Sequence, residues 1–143
     1  MKVFLITLIV CLLCAFSLKA ADATVHWTLV PDDTGLSSQP ANGYTLYYGI
    51  DSAAVMDLAS ATGYIDYSDY DDSLITVVDH LIVPGSVGDT ATYVITGLPT
   101  ETDYWFTMIA YDQVGNRSAP GNIPKWRAVD GVPPSPVYII QLE

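Results

Sequence analysis

The stretch that decides the fold spans residues 93–120 and reads YVITGLPTETDYWFTMIAYDQVGNRSAP. Its β-branched and aromatic residues form two runs, a short one at 93–95 and a longer one at 104–111. Gly97 falls between the two runs and interrupts the first of them. The pattern predicts two β-strands and the corner that joins them.

The longer run is apolar on both of its faces. Successive residues of a strand point to opposite sides of a sheet. One side would carry Tyr104, Phe106, Met108 and Ala110, and the other Trp105, Thr107, Ile109 and Tyr111. A strand that buries both faces belongs in the middle of a sheet, so we expect 104–111 to be a central strand.

The order of residues around the corner resembles the last three strands of a fibronectin type III domain, in the form common in bacterial modules. The matching positions are Leu98, Thr102, Tyr104, Ala110, Asp112, Gly115, Asn116, Ser118 and Pro120. The resemblance covers about residues 24–130 and implies an all-β, immunoglobulin-like antiparallel sandwich of about seven strands. It also implies a structural corner made by Leu98 and Tyr104, in which the tyrosine hydroxyl turns back onto the preceding backbone.

The N-terminus has the features of a secretory signal peptide. Lys2 precedes the apolar run 3–16, and small residues follow it, which predicts a signal peptide at 1–20 with cleavage after Ala20 or Ala23. The run is shorter than the roughly 20 residues that span a bilayer. Both cysteines lie in this segment, so an exported domain without disulfides is expected, secreted or at the cell surface.

The composition narrows the range of partners. The chain carries a net charge of -11, and only Arg117, Lys125 and Arg127 are basic once residues 1–20 are removed. Such a surface repels phosphate backbones and anionic lipids. We therefore expect no nucleic acid partner and no membrane association after cleavage.

The first strand of the exported domain is predicted at Thr24–Val30. Val25, Trp27 and Leu29 alternate with polar residues, which is typical of a half-buried strand. By the resemblance this is strand B, whose tryptophan fills the core, and 90–96 is expected to pair with it. Tyr44–Gly49 resembles strand C of the same family.

Residues 51–89 are longer than the corresponding family connection and are interpreted as an insertion. Asp51 is placed to cap a short helix at Ser52–Ala59, and Leu74–Val83 is dense in β-branched residues and predicts a strand. Asp79 and His80 are neighbours on that strand. Adjacent strand residues point to opposite faces, so we do not expect them to act as a catalytic pair.

The segment 64–72 is the most distinctive polar stretch. Tyrosines recur at every third residue, with carboxylates between them. One interpretation is a calcium site formed by Asp66, Asp69, Asp71 and Asp72, and another is a sugar-binding platform of tyrosine rings. The third is an acidic surface loop, which the absence of EF-hand spacing favours. No cofactor is expected.

Both ends of the domain depart from a self-contained module. The chain offers no strand A ahead of 24–30, while a Pro-rich linker at 131–136, behind a predicted edge strand at Lys125–Val129, leads to an apolar tail at 137–143. The tail predicts a donor strand of Val137, Tyr138, Ile139, Ile140 and Leu142 that fills the vacant place beside Val25, Trp27 and Leu29. It could pair within its own chain or with the next subunit.

Function is therefore expected at the incomplete edge of the sandwich. The first hypothesis is an exported, non-enzymatic structural or interaction protein that self-associates as a homopolymer, or binds another surface protein, through the C-terminal strand. The alternative is a secreted carbohydrate- or calcium-binding module that uses 64–72. No nucleophile, phosphate-loop or metal-ligand motif is present that would indicate an enzyme.

Overall fold

The computed structural model describes residues 20–32, 39–61, 74–129 and the backbone of 136–139. These ranges form a sandwich of two β-sheets with one short helix. The elements are β1 (Ala20–Thr28), β2 (Gly43–Gly49), α1 (Ser52–Ser60), β3 (Ile75–Leu81), β4 (Thr90–Pro99), β5 (Asp103–Tyr111), β6 (Lys125–Arg127) and β7 (Pro136–Ile139). The prediction of an all-β sandwich is confirmed.

One sheet has three strands in the order β4-β1-β7. β1 and β4 are antiparallel, with Val25 opposite Tyr93 and Trp27 opposite Ala91, as predicted for these two segments. β1 begins earlier than its β-branched residues indicated, because Ala20 still pairs with Pro99. The pairing is irregular between Ala21 and Ala23, where β1 bulges.

The other sheet has four strands in the order β3-β2-β5-β6. β5 lies between β2 and β6, which confirms the prediction of a central strand. Its register places Ala110 opposite Tyr44 and Met108 opposite Leu46. β6 has only three residues and forms the edge of this sheet, shorter than the predicted 125–129 but in the predicted place.

The core lies between the two sheets. Val25 and Trp27 from β1 meet Leu46 from β2 and Phe106 and Met108 from β5, and all five side chains are buried. The ring of Trp27 lies 5.6 Å from that of Tyr44. The prediction that Trp27 fills the core is confirmed; Leu29 is buried as well.

The second apolar face of β5 is covered by α1. Asp51 caps this helix as predicted, since its Oδ1 accepts the backbone N–H of Ala53 and Ala54 at 2.9 and 3.1 Å. Val55 and Leu58 of the helix pack with Ile109 of β5 on the outer face of the four-stranded sheet. The two-sided burial of β5 thus has a separate partner on each side.

Several predictions fall outside the described residues. They are the signal peptide up to residue 19, the candidate calcium ligands Asp66, Asp69, Asp71 and Asp72, linker residues 131–135, and Ile140 and Leu142 of the tail. In the part of the chain that the structure covers, no helix is long and apolar enough to cross a membrane.

Candidate functional site

The C-terminal strand occupies the edge of β1 that faces away from β4. β7 runs parallel to β1, with Thr24 opposite Pro136 and Trp27 opposite Ile139. Val137 and Tyr138 lie between these two positions and pair with Val25 and His26. The sheet position that the sequence left vacant is thus filled by the last strand of the chain.

The environment of β1 explains why this edge needs a partner. Val25 and Trp27 are buried in the core, so the backbone beside them lies at the margin of an apolar interior. Unpaired N–H and C=O groups in such a place cost free energy. A parallel strand satisfies them through main-chain hydrogen bonds. Pro136 stands at the first pair of the strand, a position where its missing N–H is tolerated.

The predicted acceptor residues divide into two groups. Val25 and Trp27 lie within the segment paired with β7, and their side chains point into the core. By the alternation of a strand, the N–H and C=O groups that face β7 belong to Thr24 and His26. Leu29 lies past the paired segment. Its N–H donates to the carbonyl of Asp89 at 2.8 Å, and its carbonyl accepts the N–H of Gly88 at 2.9 Å. These bonds lie on the β4 side of β1, and the residues that follow Ile139 lie outside the described part of the chain.

The predicted corner joins the two sheets between β4 and β5. Leu98 and Tyr104 are both buried in the core cluster. Burial raises the pKa of the Tyr104 phenol, and the neighbouring Thr102 side chain acts in the opposite direction. Glu101, with a φ of 60°, makes the turn, and its N–H donates to the carbonyl of Ala128 at 2.7 Å.

A polar cluster that the sequence analysis missed lies on the outer face of the four-stranded sheet. The Thr45 hydroxyl donates to Asp79 Oδ1 at 2.5 Å, and Asp79 Oδ2 lies 3.4 Å from His80 Nε2. His80 Nδ1 is 3.1 Å from the Tyr111 hydroxyl. The expectation that Asp79 and His80 point apart was wrong. His80 has a φ of 57°, at a shift in the β2–β3 register, and this brings both side chains together.

The chemistry of this cluster is mainly that of a fixed hydrogen-bond network. Burial, and then the charge of Asp79, raise the pKa of the Tyr111 phenol. The same hydroxyl lies against Gly43, where a Cβ would approach it to 2.2 Å. The network therefore links β2, β3 and β5 and depends on the glycine beneath it.

The loop between β5 and β6 is organised by one carboxylate. Asp112 Oδ1 accepts the N–H of Val114 at 2.9 Å and of Asn116 at 2.8 Å, and Oδ2 accepts the Asn116 amide at 2.7 Å. Burial pushes the pKa of Asp112 up, but the bonds from Asn116, Val114 and Gly115 outweigh it and hold the pKa below its usual value. Gly115 supplies the positive φ of the turn, 89°.

A cavity of about 240 Å³ opens beside this loop. Its walls are Val30, Pro31, Asp32, Ala41, Ala110, Tyr111, Asp112, Asn116, Arg117 and Ser118. The carboxylate of Asp112 is already engaged by the loop backbone and by Asn116. Among the described residues, no three His, Cys, Asp or Glu side chains converge to hold a metal ion.

Comparisons with family models, curated proteins and solved structures found no match to this chain. The pairing of β7 with β1 is the main structural indication of function in the described residues.

Proposed function

We propose that the protein is an exported, non-enzymatic β-sandwich of the fibronectin type III kind that self-assembles by exchanging its C-terminal strand. The observation that carries this proposal is the position of β7. It is the most C-terminal of the described strands and pairs in parallel along the edge of β1, next to the buried Val25 and Trp27. Among the described strands β7 pairs with β1 alone, so its departure breaks no other pairing.

The energetics of exchange depend on the connector. The same backbone hydrogen bonds form whether β7 comes from the same chain or from a neighbour, so the pairing itself does not favour either state. β6 and β7 lie in different sheets, which stand about 10 Å apart in a sandwich. The eight residues between them include prolines at 133 and 134 and would span roughly 25 Å when extended. This reach exceeds the gap, so the connector permits pairing in the same chain or in a neighbour, and the stiffness of its prolines, which disfavours a tight reversal, is what favours donation to a second molecule.

The consequence of exchange is an open assembly. Each subunit would give β7 to one neighbour and receive β7 from another, which is a head-to-tail contact. Such a contact builds a filament unless its geometry happens to close a ring. The role is then structural, as a repeating unit of a surface or extracellular polymer, with the edge of β1 as the acceptor.

The proposal of export rests on residues 1–20, and β1 favours one of the two cleavage positions. Ala23 is fully buried, and Asp22 accepts the N–H of Gly97 at 3.2 Å. Cleavage after Ala23 would remove four residues of β1, whereas cleavage after Ala20 leaves the strand nearly whole. We therefore place the mature N-terminus at Ala21.

A pair of cysteines distinguishes exchange from return to the same chain. His26 and Tyr138 are register partners, so a His26→Cys/Tyr138→Cys variant places two thiols at neighbouring positions of β1 and β7. The chain that starts at Ala21 has no other cysteine. Under exchange, oxidation links each chain to its neighbours and produces a ladder of multimers on a non-reducing gel.

The controls separate this result from random oxidation. His26→Cys alone can form dimers but no ladder, and reduction collapses any genuine ladder to the monomer. Deletion of Val137–Glu143 should abolish assembly, seen by sedimentation velocity and electron microscopy, and leave a folded, less stable monomer. If the double variant forms its disulfide entirely within single chains under native conditions, β7 pairs with β1 of the same chain. The proposal of self-assembly by strand exchange is then wrong.

A further inference from the structure

We propose that the free edge of β4 is a second, independent interface, through which two copies of this chain pair β4 against β4 in an antiparallel, two-fold arrangement. The proposal does not rest on strand exchange, because β4 lies at the opposite edge of the three-stranded sheet from β7. Within the described residues β1 is the strand that pairs with β4, which leaves one edge of β4 without a neighbouring strand.

The four outer edges of the sandwich are unequal. β6 has three residues, two of them charged, and β3 is interrupted by the left-handed His80. Short length, charge and irregular backbone are the features that keep edge strands from pairing with other chains. β7 is a terminal strand of four described residues. β4 has ten residues, Thr90 to Pro99, and not one of them is charged.

The composition of β4 suits a further strand. Threonine, tyrosine, valine and isoleucine dominate the run from Thr90 to Thr96, and all are favoured in strands. Every second residue of an edge strand directs its N–H and C=O away from its partner. This run therefore offers about three donors and three acceptors to an incoming strand.

The partner that fits is another copy of β4. An antiparallel pairing centred on Val94 places Val94 opposite Val94 of the second copy and Thr92 opposite Thr96. These three residues are exposed on the solvent side of the sheet, and Val94 is 51% exposed. Paired threonines and paired β-branched residues are favourable cross-strand neighbours. On the opposite face the same register sets Tyr93 against Ile95, an aromatic residue against a β-branched one.

The charge of the molecule supports the same choice. The full sequence carries a net charge of -11, and removal of Lys2 and Lys19 with residues 1–20 makes it more negative. Two exported copies therefore repel each other, and an uncharged surface minimises that repulsion at close range. Among the described carboxylates, Asp22 lies beside the strand, where it accepts the N–H of Gly97 at 3.2 Å, and Asp89 directly precedes the strand. The two Gly97 residues stand six residues, or roughly 20 Å, apart along the paired strands. In this register the two Asp89 residues stand roughly 34 Å apart, at ten residues of about 3.4 Å each. At physiological salt, charges at that distance are screened.

This arrangement gives a specific dependence on salt. Dimerisation between like-charged copies should strengthen as ionic strength rises, because screening removes repulsion. Recognition of a basic partner would weaken instead. The salt dependence therefore distinguishes a second copy from a cationic segment of another protein at the same edge.

The test uses two substitutions at Val94 in the full exported chain. Val94→Cys places two thiols opposite each other across the two-fold axis and should give a covalent dimer in a glutathione buffer. Val94→Lys sets two like charges face to face and should abolish the concentration-dependent dimer in sedimentation velocity. Val114 is the matched control, because it is an exposed valine, 75% exposed, in the β5–β6 loop.

The outcomes are decisive in both directions. Selective dimerisation of Val94→Cys over Val114→Cys, loss of the dimer in Val94→Lys, and its retention in Val114→Lys support the interface. Equal oxidation of the two cysteine variants, or a Val94→Lys protein that dimerises like the parent, overturns it. Strand exchange is read separately through the residue 26 and 138 cysteines, and circular dichroism establishes that each variant is folded.

Discussion

The edge strands of the two sheets differ in length, charge and regularity. The four-stranded sheet ends in the short, charged β6 and in β3, whose edge is distorted at His80. The three-stranded sheet ends in the long, uncharged β4 and in β7, the last strand of the chain. Short length, charge and an irregular backbone hinder strand pairing at the edges of the four-stranded sheet. The edge strands of the three-stranded sheet have fewer of these features. Association is therefore expected at the three-stranded sheet.

The outer faces differ in the same direction. On the four-stranded sheet, α1 packs against Ile109, and the guanidinium of Arg117 donates both to the Tyr47 hydroxyl and to the carbonyl of Ala61 at the end of the helix. On the three-stranded sheet, Thr92, Val94 and Thr96 of β4 face outward. The outer face of the four-stranded sheet is therefore covered by the helix, whereas the outward residues of β4 are available for contacts.

The largest expected effect comes from opening the core beneath the four-stranded sheet. Phe106 is fully buried, stacks with Tyr48 at 5.8 Å between ring centroids and meets the edge of Trp126 at 6.4 Å. Phe106→Ala should lower the free energy of unfolding by about 3–5 kcal/mol, because it removes buried area and leaves a cavity. Urea unfolding followed by tryptophan fluorescence measures this loss.

The control for Phe106 is a substitution that removes apolar atoms without opening a cavity. Val114→Ala, in the exposed β5–β6 loop, should change the unfolding free energy by no more than about 0.5 kcal/mol. A Phe106→Ala protein as stable as this control would show that Phe106 does not contribute to the stability of the core.

The next effect tests the loop that joins β5 to β6. Asp112→Asn keeps the size of the side chain but sets an amide donor against the Asn116 amide, so it should destabilise the protein at neutral pH. The folded-state pKa of Asp112 lies below its usual value, so its contribution is present above the unfolded-state pKa of about 3.9 and disappears as the pH falls through the folded-state value.

The measurement is a pair of urea titrations on the parent and on Asp112→Asn from pH 7 to pH 3. The gap between their midpoints should be widest at neutral pH and should narrow as the solution becomes acidic. The other carboxylates are present in both proteins, so their effect on stability cancels in the difference between the midpoints. A gap that stays constant across the range would show that the Asp112 charge does not hold the loop.

Sequence patterns predicted the parts of the fold that depend on local periodicity. Val25 and Trp27 alternate with polar residues, and both are buried. The helix cap at Asp51 and the central position of β5 follow from residue types at fixed spacing, and both are confirmed. The start of β1 was missed because Ala20–Ala23 has little strand propensity, and its pairing with β4 comes from the tertiary structure.

The candidate site was predictable only in outline. An apolar tail after a proline-rich linker indicated a strand for the edge of β1, but its parallel direction depends on the assembled sheet. The cluster around His80 was hidden because a left-handed residue in a strand has no reliable signal in a single sequence. Arg117 likewise joins residues 70 and 56 positions away.

The smallest expected change in stability tests the comparison between the edges directly. Lys125 and Arg127 on β6 form ion pairs with Asp103 at 2.7 and 3.2 Å, and Arg127 also pairs with Glu101 at 3.0 Å. These exposed pairs add little to stability. We infer that their main role is to keep the β6 edge from pairing with other chains. Lys125→Thr/Arg127→Thr should therefore unfold close to the parent midpoint and yet gain a new, concentration-dependent association.

The expected change in association is opposite to the change that net charge alone would cause. The double threonine variant carries two fewer positive charges, so its net charge is more negative and general repulsion between copies rises. Stronger self-association, measured by sedimentation velocity, would then point to the strand edge and the Trp105 ring that Lys125 covers, and not to a change in overall charge. The swapped variant Lys125→Arg/Arg127→Lys keeps both charges and should behave like the parent. If the threonine variant stays as monodisperse as the swapped one, charge is not what protects β6, and the contrast with β4 must come from strand length alone.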